Sequence, residues 1–179
     1  HLQVDQELRI QKKTGPANMI VATPDGAVEL YYAGSKKLET ASGGVTLTGT
    51  INGISILANA TNFTNSLLIS NDAGTGTLSS ASNNTGLGHE VFDDLTEGDQ
   101  NTGVGSLALT KLTTGTNNTG IGTVALTALT TGSFNTAVGD NSLAANTTAS
   151  NNTAIGASAL LSNTTGSENT AVGLSALAA

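Results

Sequence analysis

From Asn84 to the end of the chain, apolar and polar positions recur at a fixed interval. Asn84, Asn101, Asn118, Asn135, Asn152 and Asn169 each open the pattern Asn-Thr-[Gly/Ala]-[Val/Ile/Leu]-Gly, and every interval is 17 residues. At about 3.6 residues per turn, an uninterrupted helix would rotate each copy by roughly 100° from the last, so no helical face would repeat. A continuous strand would flip an odd-period motif to the opposite face at every copy, because side chains alternate with period two. Each unit must therefore contain turns that restore register, as in a stacked array whose units bury apolar residues against their neighbours.

One unit reads NTGIGTVALTALTTGSF (residues 118–134) and the preceding one NTGVGSLALTKLTTGTN (101–117). Two apolar stretches alternate with two turns. The fifth position is always glycine (Gly88, Gly105, Gly122, Gly139, Gly156, Gly173), which a positive φ or a close chain approach would require. A second break falls at Gly98, Gly115, Gly132, Ala149 and Gly166. Two columns are expected to form the core. The fourth position supplies Leu87, Val104, Ile121, Val138, Ile155 and Val172; the ninth supplies Phe92, Leu109, Leu126, Leu143, Leu160 and Leu177. Asn and Thr at the first two positions form ladders of their own, and stacked Asn amides can hydrogen-bond from coil to coil. The twelfth position changes from Leu95, Leu112 and Leu129 to Asn146 and Asn163, dividing the array into two sub-types. A strand-plus-helix unit is a weaker fit, because such repeats need about 20 residues or more.

Residues 18–51 read as short strands broken at Pro24-Asp25-Gly26, Ala33-Gly34-Ser35 and Ser42-Gly43-Gly44, with Val28, Leu30 and Tyr32 alternating on one face, as do Val45, Leu47 and Gly49. The predicted fold is all-β: an N-terminal β-meander over 1–51, a connector over 52–83, and a 17-residue-repeat β-solenoid or β-roll over 84–179 with six units, the last truncated. The chain begins at His1 and stops 11 residues into the sixth unit, and is read as a window on a longer polypeptide.

Only 3% of residues are aromatic and 22 are glycine, so the core must come from small aliphatic side chains. Six coils at about 4.8 Å each make a rod about 29 Å long. So slim a coil buries little area against its ordering entropy, and self-association, most naturally as a trimer, is expected to bury its small-residue face. Charge is uneven. Residues 1–40 hold five acids and five bases, whereas 41–179 hold eight acids and only Lys111, which gives the net of −7. Such an array repels a phosphate backbone, so no nucleic-acid partner is expected. No apolar run approaches 18 residues, so no membrane insertion is expected. The absence of cysteine excludes a disulfide framework and thiolate metal sites.

Candidate chemistry is sparse. His89 stands beside Glu90, Asp93 and Asp94 without a recognised ligand spacing, and a solvated cap on the first coil explains it better. Asp93, Asp94, Glu97 and Asp99 form an acidic cluster, but aspartate does not recur in later coils as a calcium-binding roll requires. Triplets such as Asn62-Phe63-Thr64 match glycosylation acceptors because the repeat is rich in Asn and Thr. Neither catalytic residues nor cofactors nor metals are expected, and the chain is not read as an enzyme. Thr113-Thr114, Thr130-Thr131, Thr147-Thr148 and Thr164-Thr165 recur at the same period and raise the alternative of an ice-binding solenoid.

The stretch PDGAVELYYAGSKKLETASGGVTLTGTI (24–51) resembles a segment common in tail-fibre and other virion appendage proteins of tailed bacteriophages. The NTAVG-type array resembles repeats that follow it in such fibres and, more distantly, the head repeats of trimeric autotransporter adhesins. Together these resemblances cover residues 24–179. They imply a homotrimeric, fibrous, extracellular β-structure: a shaft or shaft-to-tip segment supporting host attachment, with a cell-surface receptor engaged through a region outside this window. A bacterial trimeric surface adhesin is the alternative. The adhesin pattern is usually shorter than this repeat, and no membrane anchor stands in this window.

Overall fold

The computed structural model describes residues 7–11, 18–24, 26–41, 44–47, 55–60, 62–70 and 76–179. His1, Asp25, Ser42, Gly43 and Gly49, named above, lie outside the described residues, as do parts of the 52–83 stretch. The chain divides into two compact units, His1–Thr50 and Ile51–Ala179.

The first unit is an antiparallel meander of five strands in sequential order: β1 Leu8–Gln11, β2 Asn18–Ala22, β3 Val28–Tyr32, β4 Ser35–Ala41 and β5 Gly44–Leu47. Its register aligns Ile10, Ile20, Leu30, Leu38 and Leu47 in one row across the sheet. Ala33, at φ 49°, and Gly34, at φ 80°, close the β3–β4 hairpin, the pair of left-handed residues that a two-residue turn matching the strand twist demands.

The second unit is a parallel stack. β6 (Ser55–Ala60) and β7 (Phe63–Ser70) form an antiparallel hairpin, and β7 then pairs in parallel with β8 (Ala81–Ser82) and β9 (Thr85–Leu87). Five more three-residue strands follow in register: β10 Thr102–Val104, β11 Thr119–Ile121, β12 Thr136–Val138, β13 Thr153–Ile155 and β14 Thr170–Val172. The stretch read from sequence as a connector thus supplies the rung on which the array begins, with Leu67, Leu68 and Ile69 opposite Thr85, Gly86 and Leu87.

Every coil bonds to its neighbour by the same rule. The threonine N–H of one strand donates to the asparagine carbonyl of the next coil, and the glycine N–H of that coil donates back to the preceding fourth-position carbonyl, at 2.7 to 3.0 Å. Because both partners are one repeat apart, any change of length within a unit would misalign all later bonds. The fifth-position glycines have φ between 127° and 145°. A Cβ on any of the first five would overlap the carbonyl of the glycine one coil further on, so conformation and close approach both exclude a side chain.

Side-chain ladders run through the same stack. Each first-position asparagine from Asn84 to Asn152 is fully buried. Its Oδ1 accepts from the backbone N–H and the Nδ2 of the next asparagine, at 2.9 to 3.2 Å. In the first four coils its Nδ2 also donates to the carbonyl of the second break, 14 residues on. At the base Asn84 N–H donates to Ser66 Oγ at 2.7 Å, so β7 supplies the first member of the ladder with a serine. These bonds satisfy a row of amides that would be costly to bury unpaired.

The apolar core holds Leu68, Phe92 and Leu95 at the base, then Leu109, Leu112, Leu126, Leu129, Leu143 and Leu160 with the alanines between them. The ninth-position residues take φ of 50° to 62°, a left-handed conformation that non-glycine residues rarely adopt. The N–H groups of Leu109, Leu126, Leu143 and Leu160 donate to the eighth-position carbonyl of the next coil, as Leu126 does to Ser142, and burial of these side chains offsets the backbone cost.

Candidate assembly interface on the outward strand face

In each array strand, alternation sends the first and third positions inward and the second and fourth outward. The fourth-position column is therefore not core. Leu87, Ile121, Ile155 and Val172 are exposed, with Ile121 at 39% and Val172 at 67%, and Val104 and Val138 are half-buried. The inward third position carries Gly86, Gly103, Gly120, Ala137, Ala154 and Ala171, so the small residues expected on an outer face fill the interior. Space explains the reversal. A Cβ on Gly86 would stand 2.6 Å from Leu68 Cδ1, and one on Gly103 2.7 Å from Val91 Cγ1. The room is taken by Leu68 of β7, by eighth-position Val91 and by the ninth-position Phe92 and Leu109. The ninth column is buried as expected through Leu160, whereas Leu177 in the last coil is 63% exposed.

The outward columns form a regular surface. Thr85, Thr102, Thr119, Thr136, Thr153 and Thr170 stand in register beside the fourth-position aliphatics, and Leu67 and Ile69 on β7 extend the pair of columns by one rung. No charged side chain interrupts either column. Among the described residues, no hydrogen bond within the chain uses these threonine hydroxyls. Phe134, immediately before the first-position Asn135, is 60% exposed.

The paired threonines behave differently. Thr96, Thr113, Thr130 and Thr147 each donate their hydroxyl to the carbonyl of the equivalent threonine in the next coil, at 3.0 to 3.3 Å. Their neighbours Thr114, Thr131, Thr148 and Thr165 are exposed. The pairs therefore do not present two free hydroxyls on one face.

The two sub-types differ in how they brace the second break. Leu95, Leu112 and Leu129 pack beneath Gly98, Gly115 and Gly132. Asn146 instead brackets Ala149, with Oδ1 accepting its N–H at 3.0 Å and Nδ2 donating to its carbonyl at 3.2 Å; Asn163 brackets Gly166 in the same way. The same two coils carry Ala137 and Ala154 at the third position, restoring apolar volume lost with the leucine.

The acidic residues of the first coil are dispersed into separate contacts. His89 Nε2 lies 3.5 Å from Glu90 Oε1, Glu97 accepts from Ser79 Oγ, and Asp99 accepts from both N–H and Oγ of Ser82. Among the described residues no three His, Cys, Asp or Glu side chains converge on a metal-sized site. No helix among them is long and apolar enough to cross a membrane.

The meander presents a second apolar surface. Ile10, Val28, Leu30 and Val45 occupy one face of the five-stranded sheet and are exposed. The opposite face holds a polar network, in which Glu29 accepts from Tyr31 at 2.7 Å and from Lys36 at 2.9 Å, while Lys36 reaches Glu39 at 2.8 Å. The hydrogen bond from Tyr31, then that from Lys36, holds the Glu29 carboxyl below its ordinary range. Glu39 and then Glu29 raise the Lys36 ammonium, and Glu29 raises the Tyr31 phenol. Alternation was legible here, but not that Ile10, Val28, Leu30 and Val45 are exposed. No protein-family model, curated protein or solved structure matches the chain.

Proposed function

We propose that this chain is a structural segment of a fibre, a shaft or shaft-to-tip portion of a bacteriophage tail fibre in which three copies pack through their outward strand faces. The observation that carries this reading is the uncharged, in-register double column of Thr and Leu/Val/Ile on the array, exposed or half-buried along six rungs. A side chain of that type contributes on the order of 1 kcal/mol or more when a partner covers it, so a column repeated along a rod gives a seam whose strength grows with length. The exposed row on the meander supports the same reading, because it places a second apolar surface on the other unit. Threefold symmetry and the extracellular, virion-borne setting follow from the resemblance to fibre proteins. The stack itself would transmit stiffness, and receptor attachment would belong to a region outside this window. Replacing Val104, Val138 and Ile155 together by Arg tests the seam: the mass of the native particle should fall to that of one chain while the fold persists.

One observation favours a second reading. A row of unpaired threonine hydroxyls beside methyl groups, at a spacing fixed by the backbone, is also the kind of surface on which ordered water could be templated. Ice shaping and thermal hysteresis by the purified chain would favour that use of the face; their absence would remove it.

A further inference from the structure

The five-stranded sheet sorts its side chains by face, yet its burial runs the wrong way round. The register puts Ile10, Ile20, Leu30 and Leu38 in one row across β1 to β4, with Val28 on the same side, two residues from Leu30. Val45 of β5 joins them, two residues before the partner of Leu38. Of these, Ile10, Val28, Leu30 and Val45 are 46%, 40%, 38% and 61% exposed. The other face carries Arg9, Val21, Glu29 and Glu39 in the alternate row, with Lys36 joining the two glutamates. There Val21, the one aliphatic in a row of charges, is only 4% exposed. Among the described residues the connected hydrophobic core, from Leu68 to Ala171, lies wholly in the second unit.

A sheet needs a second layer over its apolar face. No charged residue stands in either row of this face, so an equally uncharged surface fits it and a charged partner finds no counterpart. With strands about 4.8 Å apart and rows about 7 Å apart, the patch is on the order of 300 Å². A stable interface takes about 800 Å² from each partner, so this face cannot hold a partner unaided. Its occupant must be brought by contacts made elsewhere, and other copies of the chain, joined along the array, are brought in that way.

We infer that this face meets the equivalent faces of the other copies, so that the meander's core is shared between chains and forms only on assembly. The inference rests on the fibre reading above. It adds that a dissociated chain keeps its array folded, because the core of that unit is its own, while the meander loses its order. Around a symmetry axis, equal residues of different copies come together, Val28 near Val28.

The test uses the full chain, whose lack of cysteine makes single-cysteine variants unambiguous. Under mild oxidation Val28→Cys should give covalent dimers on a non-reducing gel, whereas Glu39→Cys, on the opposite face, should not. By hydrogen exchange, dilution to single copies should lower the protection of the β2–β3 amides by about tenfold or more, leaving the Thr119 and Gly122 amides unchanged. Leu30→Lys should lower the β2–β3 protection in the same way without dilution. Protection of the meander in single copies equal to that in the assembly overturns the inference, because the face is then covered within its own chain. An assembled chain that shows neither the Val28→Cys dimer nor any response to Leu30→Lys overturns it too, and leaves the array seam standing. A chain that never exceeds the mass of one copy overturns both this inference and the fibre reading.

Discussion

Asn118 Oδ1 accepts both the backbone N–H and the side-chain Nδ2 of Asn135, at 3.0 and 3.1 Å, across exactly one repeat of the chain. Asn118 Nδ2 in turn reaches Asn101 Oδ1 and the Gly132 carbonyl. Asn118→Ala therefore orphans two donors on Asn135 and one carbonyl in a fully buried row. It should destabilise the array by about 3 kcal/mol or more, since each buried unsatisfied group costs roughly 1–3 kcal/mol. Asn169→Ala, in which only the Nδ2 donation to Asn152 Oδ1 is lost among the described residues, should cost only about 1 kcal/mol. Urea unfolding of the two variants measures the difference, and equal losses would mean that the ladder does not act as a connected row.

The glycine column makes a similar contrast. Gly122→Ala places a methyl group on the Gly139 carbonyl at a φ of 135°, so steric overlap adds to backbone strain. Gly173→Ala meets no neighbour and bears the strain alone, of order 1–3 kcal/mol. The melting temperature of Gly122→Ala should fall well below that of Gly173→Ala.

Third-position glycines should differ among themselves. A Cβ on Gly120 would touch Leu109 at 3.2 Å, a contact that a small shift relieves, and alanine already stands at positions 137, 154 and 171 of this column. Gly120→Ala should therefore lie within about 1 kcal/mol of the parent, with the loss of unfolded-state freedom favouring it. Gly103→Ala meets Val91 Cγ1 at 2.7 Å and should be destabilised by about 1–3 kcal/mol. Denaturant midpoints of both variants check the ordering.

In the meander, pH has a definite sign. The Glu29 carboxyl is lowered in the folded chain by Tyr31 and Lys36, so its contribution is fully present above the ordinary carboxylate range. It is lost as pH falls through the lower folded value. The effect is small because the group is solvent-screened. Tyr31 and Tyr32 are the only tyrosines and tryptophan is absent, so tyrosine fluorescence reports on this unit alone. Glu29→Gln should flatten the acid side of its melting-temperature profile while leaving the array unchanged.

The period, the asparagine ladder, the glycine column and the ninth-position leucines were all legible, because each depends on a backbone or packing demand that admits few residue types; that the asparagines point inward was not. The fourth position was misread because residue type and direction point opposite ways: Val138 is apolar yet outward, and Ala137 is small yet inward. The phase was available in principle, since buried asparagine at position one fixes positions three and five to the same side. Left-handed conformations at Leu107, Val124 and Leu126 carry no sequence signal. They are imposed by coil-to-coil bonds that exist only once the stack has formed. The surface use of the outward face was equally hidden, because Thr and Val suit any strand whether or not a partner covers it.

The most direct test is the mass of the native particle, by sedimentation equilibrium over a range of concentrations, with the Val138→Asp variant beside the parent. Val138 is half-buried on the outward face, so the charge should leave the single coil folded and act on assembly. A parent mass of three times 17.7 kDa, falling to one chain in the variant, is the predicted result. A parent that remains a folded 17.7 kDa monomer at every concentration would contradict the assembly on which the fibre reading depends.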